Sequence, residues 1–165
     1  MRNKFLKCDW LVKDLETNKD WLFTLDEKDQ DEIAEATKFA IKSGKNLFEI
    51  TNKDFPIHDL LIKIKKILHQ LDSGLGFVLL RNLPVEKFND EEVKFMLWGI
   101  GQYIGYPEVQ DKAGSLLHVV TDTGSSVNKT DNIRGFQTNE ELQFHTDGAD
   151  VFALLCIRNA KSGGL

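Results

Sequence analysis

Apolar positions in the first hundred residues recur with helical period in three stretches, and beyond residue 105 they give way to short apolar runs between polar loops. Over 25–43, Ile33, Thr37, Ala40 and Ile41 share a face, acidic residues cluster early and Ser43-Gly44 supplies a stop, so the spacing predicts a helix. Over 56–71 the set Ile57, Leu60, Leu61, Ile64, Ile67, Leu68 and Leu71 keeps the same period, with Pro56 near the start and Gly74 just past the end. A third helix is predicted over 90–104. There Asn89 and Glu92 stand at capping-box spacing, and Val93, Met96, Leu97, Ile100 and Ile104 form the stripe to be buried. Gly99 and Gly101 lie inside it, each costing about 1 kcal/mol relative to alanine, which implies close packing against another backbone.

Gly76-Phe77-Val78-Leu79-Leu80-Arg81 is a short apolar run between turn residues and reads as a buried strand. Residues 116–121 and 151–158 are the other strand candidates, 122–135 is a polar loop of Thr, Ser, Asn and Gly, and 143–147 reads as a strand end. The pattern is that of an α+β protein with its helices first.

Composition narrows the function classes. With 41% apolar and 28% charged residues and three prolines, the chain should fold, and 165 residues suit one domain. The net charge of -5 comes from intermixed acids and bases without a basic stripe, so nucleic acid is not an expected partner. The amino terminus has too many charges for a signal peptide and no stretch is long enough for a membrane span, so the expectation is a cytoplasmic protein. Cys8 and Cys156 are far apart, which suggests neither a disulfide framework nor a zinc knuckle. Cys156, in an apolar run, reads as a buried small hydrophobe.

The chemistry centres on Phe144-His145-Thr146-Asp147. In an extended segment, side chains two apart point to one face, so His145 and Asp147 would project together from Cα atoms about 6.6 Å apart. An imidazole nitrogen and a carboxylate oxygen could then meet one cation, and such a donor pair with open positions suits a catalytic first-row metal such as iron(II). Spacing alone is weak evidence, because a chain with four histidines and many aspartates produces His-x-Asp by chance.

The wider string from Arg134-Gly135-Phe136-Gln137-Thr138-Asn139 to Phe144-His145-Thr146-Asp147, followed by an apolar run and Ser162-Gly163-Gly164, resembles the TauD/TfdA-like iron(II)- and 2-oxoglutarate-dependent oxygenases. In that family an aromatic-His-Thr-Asp motif precedes, by one strand, a Ser-Gly-Gly turn, and Gly76-Phe77-Val78-Leu79-Leu80-Arg81-Asn82-Leu83 is similar to the strand that opens the catalytic domain. The resemblance implies His145 and Asp147 as two metal ligands, iron(II) as the metal and 2-oxoglutarate as cosubstrate. It also implies a double-stranded β-helix, or jelly-roll, fold. The family's third ligand and its 2-oxoglutarate-binding arginine are expected beyond Leu165. A closed jelly-roll needs about eight strands and only three or four can be counted. The expectation is therefore one domain, the amino-terminal half of a longer oxygenase, mainly helical over 1–74 and opening an incomplete jelly-roll over 75–165. Alone, this chain should bind iron weakly and not turn over.

Other residues have plainer readings. His118, flanked by apolar strand residues, is a candidate substitute third ligand but reads as structural. His58 and His69 fall on the second helix, too far apart to chelate jointly, in solvated or capping roles. Asp150 belongs to a turn after the motif, residues 137–143 could line a substrate pocket, and Gly163-Gly164 is a turn without the features of a phosphate loop. Trp10, Trp21 and Trp98 read as packing residues rather than as an aromatic cage. Two competing functions stay open: a non-catalytic fragment or interaction module that self-associates through open strand edges, giving a homo-oligomer of poor solubility, and a metal site completed between subunits.

Overall fold

The computed structural model describes residues 10–121, 146 and 148–159. These fall into two compact units: residues up to Tyr106 together with those from Leu154 on, and Pro107–Ala153.

The first unit runs α1 (Val12–Thr17), β1 (Leu22–Thr24), α2 (Glu27–Lys42), a 3-10 turn at Leu47–Glu49, α3 (Leu61–Ser73), β2 (Leu79–Arg81), a second 3-10 turn at Val85–Lys87 and α4 (Asp90–Gly101). The two strands pair in parallel, Leu22 opposite Leu79 and Thr24 opposite Arg81. Parallel neighbours need a long crossover, here the segment carrying α2 and α3.

The helix α2 starts where Asp26 and Asp29 exchange bonds: the Asp29 N–H donates to Asp26 Oδ1 at 3.0 Å and the Asp26 N–H to Asp29 Oδ2 at 2.9 Å. It stops at Ser43, and Gly44 takes φ +70°, a conformation that costs a residue without Cβ nothing. Its buried face carries Ile33, Ala36, Thr37 and Ala40, and the Thr37 hydroxyl donates to the Ile33 carbonyl at 2.8 Å, which satisfies the one hydroxyl on that face. This face packs on α4. The predicted capping box of α4 is present: the Glu92 N–H donates to Asn89 Oδ1 at 3.0 Å, and the Asn89 N–H to Glu92 Oε2 at 2.9 Å. Val93, Met96 and Ile100 are buried as the period requires, and Leu97 and Ile104 half-buried. Past Gly101 the chain turns, so α4 ends short of residue 104.

The core is centred on Phe55, fully enclosed with Leu25, Ile33, Ile50, Leu60 and Met96. Gly99 lies on the Phe55 ring, as the expected close approach requires, except that its partner is an aromatic side chain rather than a backbone. Among the described residues none beyond its own helix comes within 4 Å of a Cβ placed at Gly101, so the expected close packing is absent there.

Helix α3 begins five residues later than its hydrophobic period suggests, and the reason lies on α2. The Glu32 carboxylate accepts the backbone N–H groups of His58, Asp59 and Leu60, the last two at 3.0 and 2.9 Å. Residues 58–60 are thereby held in a bend and turn ahead of the helix, so His58 is not a helical residue. The salt bridge of Lys63 with Asp26 and Asp29, and that of Lys28 with Asp59, tie the same two helix starts together.

The predicted strands at 116–121 and 151–158 are corrected: none of their described residues is in a strand. A strand is defined by its ladder, and among the described residues these segments have no ladder partner. Among the described residues no helix is long and apolar enough to cross a membrane.

Candidate functional site

His145 and Asp147 lie outside the described residues, as do 122–144 and Gly163-Gly164. Of the motif itself Thr146 is described, and it is exposed. Residues 148–150 form an exposed bend, which agrees with Asp150 belonging to a turn after the motif.

The segment leading towards the motif sits in the second unit and is organised by Asp111. Its Oδ1 accepts the N–H of Ala113 at 2.8 Å and that of Ser115 at 3.0 Å. Gly114, at φ +84°, closes the turn by donating to the Asp111 carbonyl. These backbone bonds, from Ser115 above all, hold the Asp111 carboxyl below the usual carboxylate range. The other oxygen, Oδ2, stands 3.4 Å from His118 Nε2. His118, the candidate substitute ligand, thus faces a carboxylate that fixes a turn, which fits the structural reading.

Among the described residues no three His, Cys, Asp or Glu side chains converge to hold a metal. His58 and His69 are both exposed. Cys156 is corrected from buried to exposed, with its thiol 3.3 Å from Asn159 Oδ1; among the described residues the run around it has no strand partner to enclose it. In the first unit Arg158 binds Asp90, in the first turn of α4, at 2.6 Å.

The tryptophans do not converge on a cage. Trp10 and Trp21 flank Phe77 with ring centroids 5.0 and 5.6 Å away, while Trp98 is buried edge-on to Phe48 and donates to the Ile50 carbonyl at 3.0 Å. Helix α1, strand β1 and this aromatic cluster were not expected from the sequence. A signal was available in the apolar run Trp21-Leu22-Phe23 between charged segments.

The oxygenase class suggested by the motif is matched by comparison with known proteins. The model of the "Taurine catabolism dioxygenase TauD, TfdA family" matches residues 40–165, and the chain belongs to that family. It is 30% identical over 155 residues to FR-33289 synthase of Streptomyces rubellomurinus (strain ATCC 31215), a stretch covering 94% of this chain and 46% of that protein. It is 24% identical over 161 residues to the taurine hydroxylase-like protein SAT17 of Stachybotrys chartarum (strain CBS 109288 / IBT 7711), covering 94% of this chain and 42% of that protein. The chain thus spans less than half the length of these curated relatives.

Proposed function

We propose that this chain supplies two metal ligands, His145 and Asp147, of an iron(II)- and 2-oxoglutarate-dependent dioxygenase that hydroxylates or otherwise oxidises a small organic substrate. The observation that carries this reading is the family match over residues 40–165, which includes both the Phe144-His145-Thr146-Asp147 motif and the Ser162-Gly163-Gly164 turn. The donor set fits the metal, since a neutral imidazole and a hard carboxylate leave positions open for substrate and suit iron(II) better than a thiolate-rich site would. When bound, the metal and 2-oxoglutarate supply the oxidising chemistry.

The chain's own part is to fix two donors. In an extended segment side chains two apart share a face, the arrangement in which His145 and Asp147 would reach one ion. A third ligand and an arginine for the cosubstrate carboxylate would complete the site.

The test is succinate release by the full-length protein with iron(II) and 2-oxoglutarate. His145→Ala and Asp147→Ala should each lower it on the order of a hundredfold or more. Turnover that survives both substitutions would refute the assignment.

A second reading, self-association, is favoured by the exposure of Val109, Val119, Val120, Val151 and Phe152, all within the Pro107–Ala153 unit. Light scattering on the 165-residue chain decides it: a dimer or larger species supports this reading, and a monomer removes it.

A further inference from the structure

Between β1 and α3 lies an open groove of about 480 Å³ whose lining includes Leu22 and Phe23. It is also lined by Lys65, Lys66, His69 and Gln70 of α3 and by Lys19 and Asp20 ahead of β1. We propose that this groove binds a small organic phosphate.

Charge is the first argument. Three lysines face a single aspartate, on a chain whose net charge is -5, so this local excess runs against the overall composition. On the same helix, Lys63 is neutralised by Asp26 and Asp29. Lys65 and Lys66 have no such partner: among the described residues neither forms an ion pair within 4.0 Å. A dianion beside these ammonium groups is attracted more strongly than a monoanion.

Positioning is the second argument. The Lys19 ammonium donates to the Leu15 carbonyl at 3.0 Å and stands 5.4 Å from the centroid of the Trp21 ring, so this charge is held in place. The third is the apolar lining: Leu22 and Phe23 are half-buried and offer an apolar surface in the same groove as the lysines. A bare ion would leave that surface in water, whereas the organic part of a phosphate monoester would cover it. A nucleic-acid backbone needs an extended basic track, which three lysines lining one groove do not provide.

This site is independent of the metal ligands, so its test does not depend on them. Phenyl phosphate is titrated into the 165-residue chain at constant ionic strength while backbone amides are followed by NMR. The expected result is saturable shifts confined to residues 19–23 and 65–70, no response to phenol, and affinity about tenfold or more weaker in the K65Q/K66Q variant. Both lysines are exposed, so the variant should keep its circular dichroism spectrum. Shifts that never saturate, an equal response to added sodium chloride, or unchanged affinity in K65Q/K66Q would overturn the proposal.

Discussion

Gly99 on α4 lies so close to Phe55 that a Cβ added there would stand 2.1 Å from Cδ2 of the ring. Helix and core are therefore fitted to each other through the missing side chain. Alanine at this position gains about 1 kcal/mol of helix propensity but incurs an overpacking cost of about 1–3 kcal/mol. The ring cannot swing away, because Phe55 is completely buried. We predict that Gly99→Ala lowers unfolding free energy by up to about 2 kcal/mol, and that Phe55→Leu in the same chain recovers part of the loss. Denaturant melts of the two single variants and the double should show this non-additivity. Additive losses would mean that the contact is not the cause.

Glu32 offers a second test, since one carboxylate on α2 receives three N–H groups at the entry to α3. Removing it leaves those donors without their protein partner. Glu32→Ala should cost about 1–3 kcal/mol, and hydrogen exchange should quicken first in α3. Glu32→Gln keeps an acceptor oxygen and should fall between the wild type and the alanine variant. Equal protection of α3 in all three proteins would contradict this role.

The Asp54 carboxylate accepts from Lys45 Nζ at 2.6 Å and from the Thr51 N–H and hydroxyl at 3.0 and 2.8 Å. These partners, the lysine foremost, lower its pKa from 3.8 to about 2. A depressed carboxylate stabilises the fold above its unfolded value. That contribution is present above about pH 4 and is lost as the pH falls towards about 2. Carboxyl NMR should find Asp54 titrating near the lower value, and Asp54→Asn should flatten the stability profile across this interval. Titration of Asp54 at an ordinary carboxylate pKa would disprove the arrangement.

What the sequence disclosed follows from how local each signal is. The helices α2 and α4 were legible because stripe and cap lie within a few residues, as Asn89 with Glu92 shows. The start of α3 was not, because Glu32, the residue that sets it, is 26 positions before His58. Strand β1 went unread for a similar reason: it has three residues, and its partner Leu79 is far along the chain. Gly99 was legible as a close contact, though its neighbour Phe55 was not, since spacing encodes a face and not what meets it. At the candidate site, the two-residue repeat of His145 and Asp147 suggests a shared face. Which loop side chains would surround a substrate depends on long-range closure, which local pattern does not encode.

The central claim is that His145 and Asp147 grip one metal ion together. Paramagnetic broadening by substoichiometric manganese(II), standing in for iron(II) as a divalent ion of similar ligand preference, tests it even where binding is weak. The account predicts that amide signals of residues 144–148 broaden first, that His145→Ala and Asp147→Ala each abolish this, and that Thr146→Ala does not. Broadening centred elsewhere on the chain, or undiminished in the His145 and Asp147 variants, would contradict it.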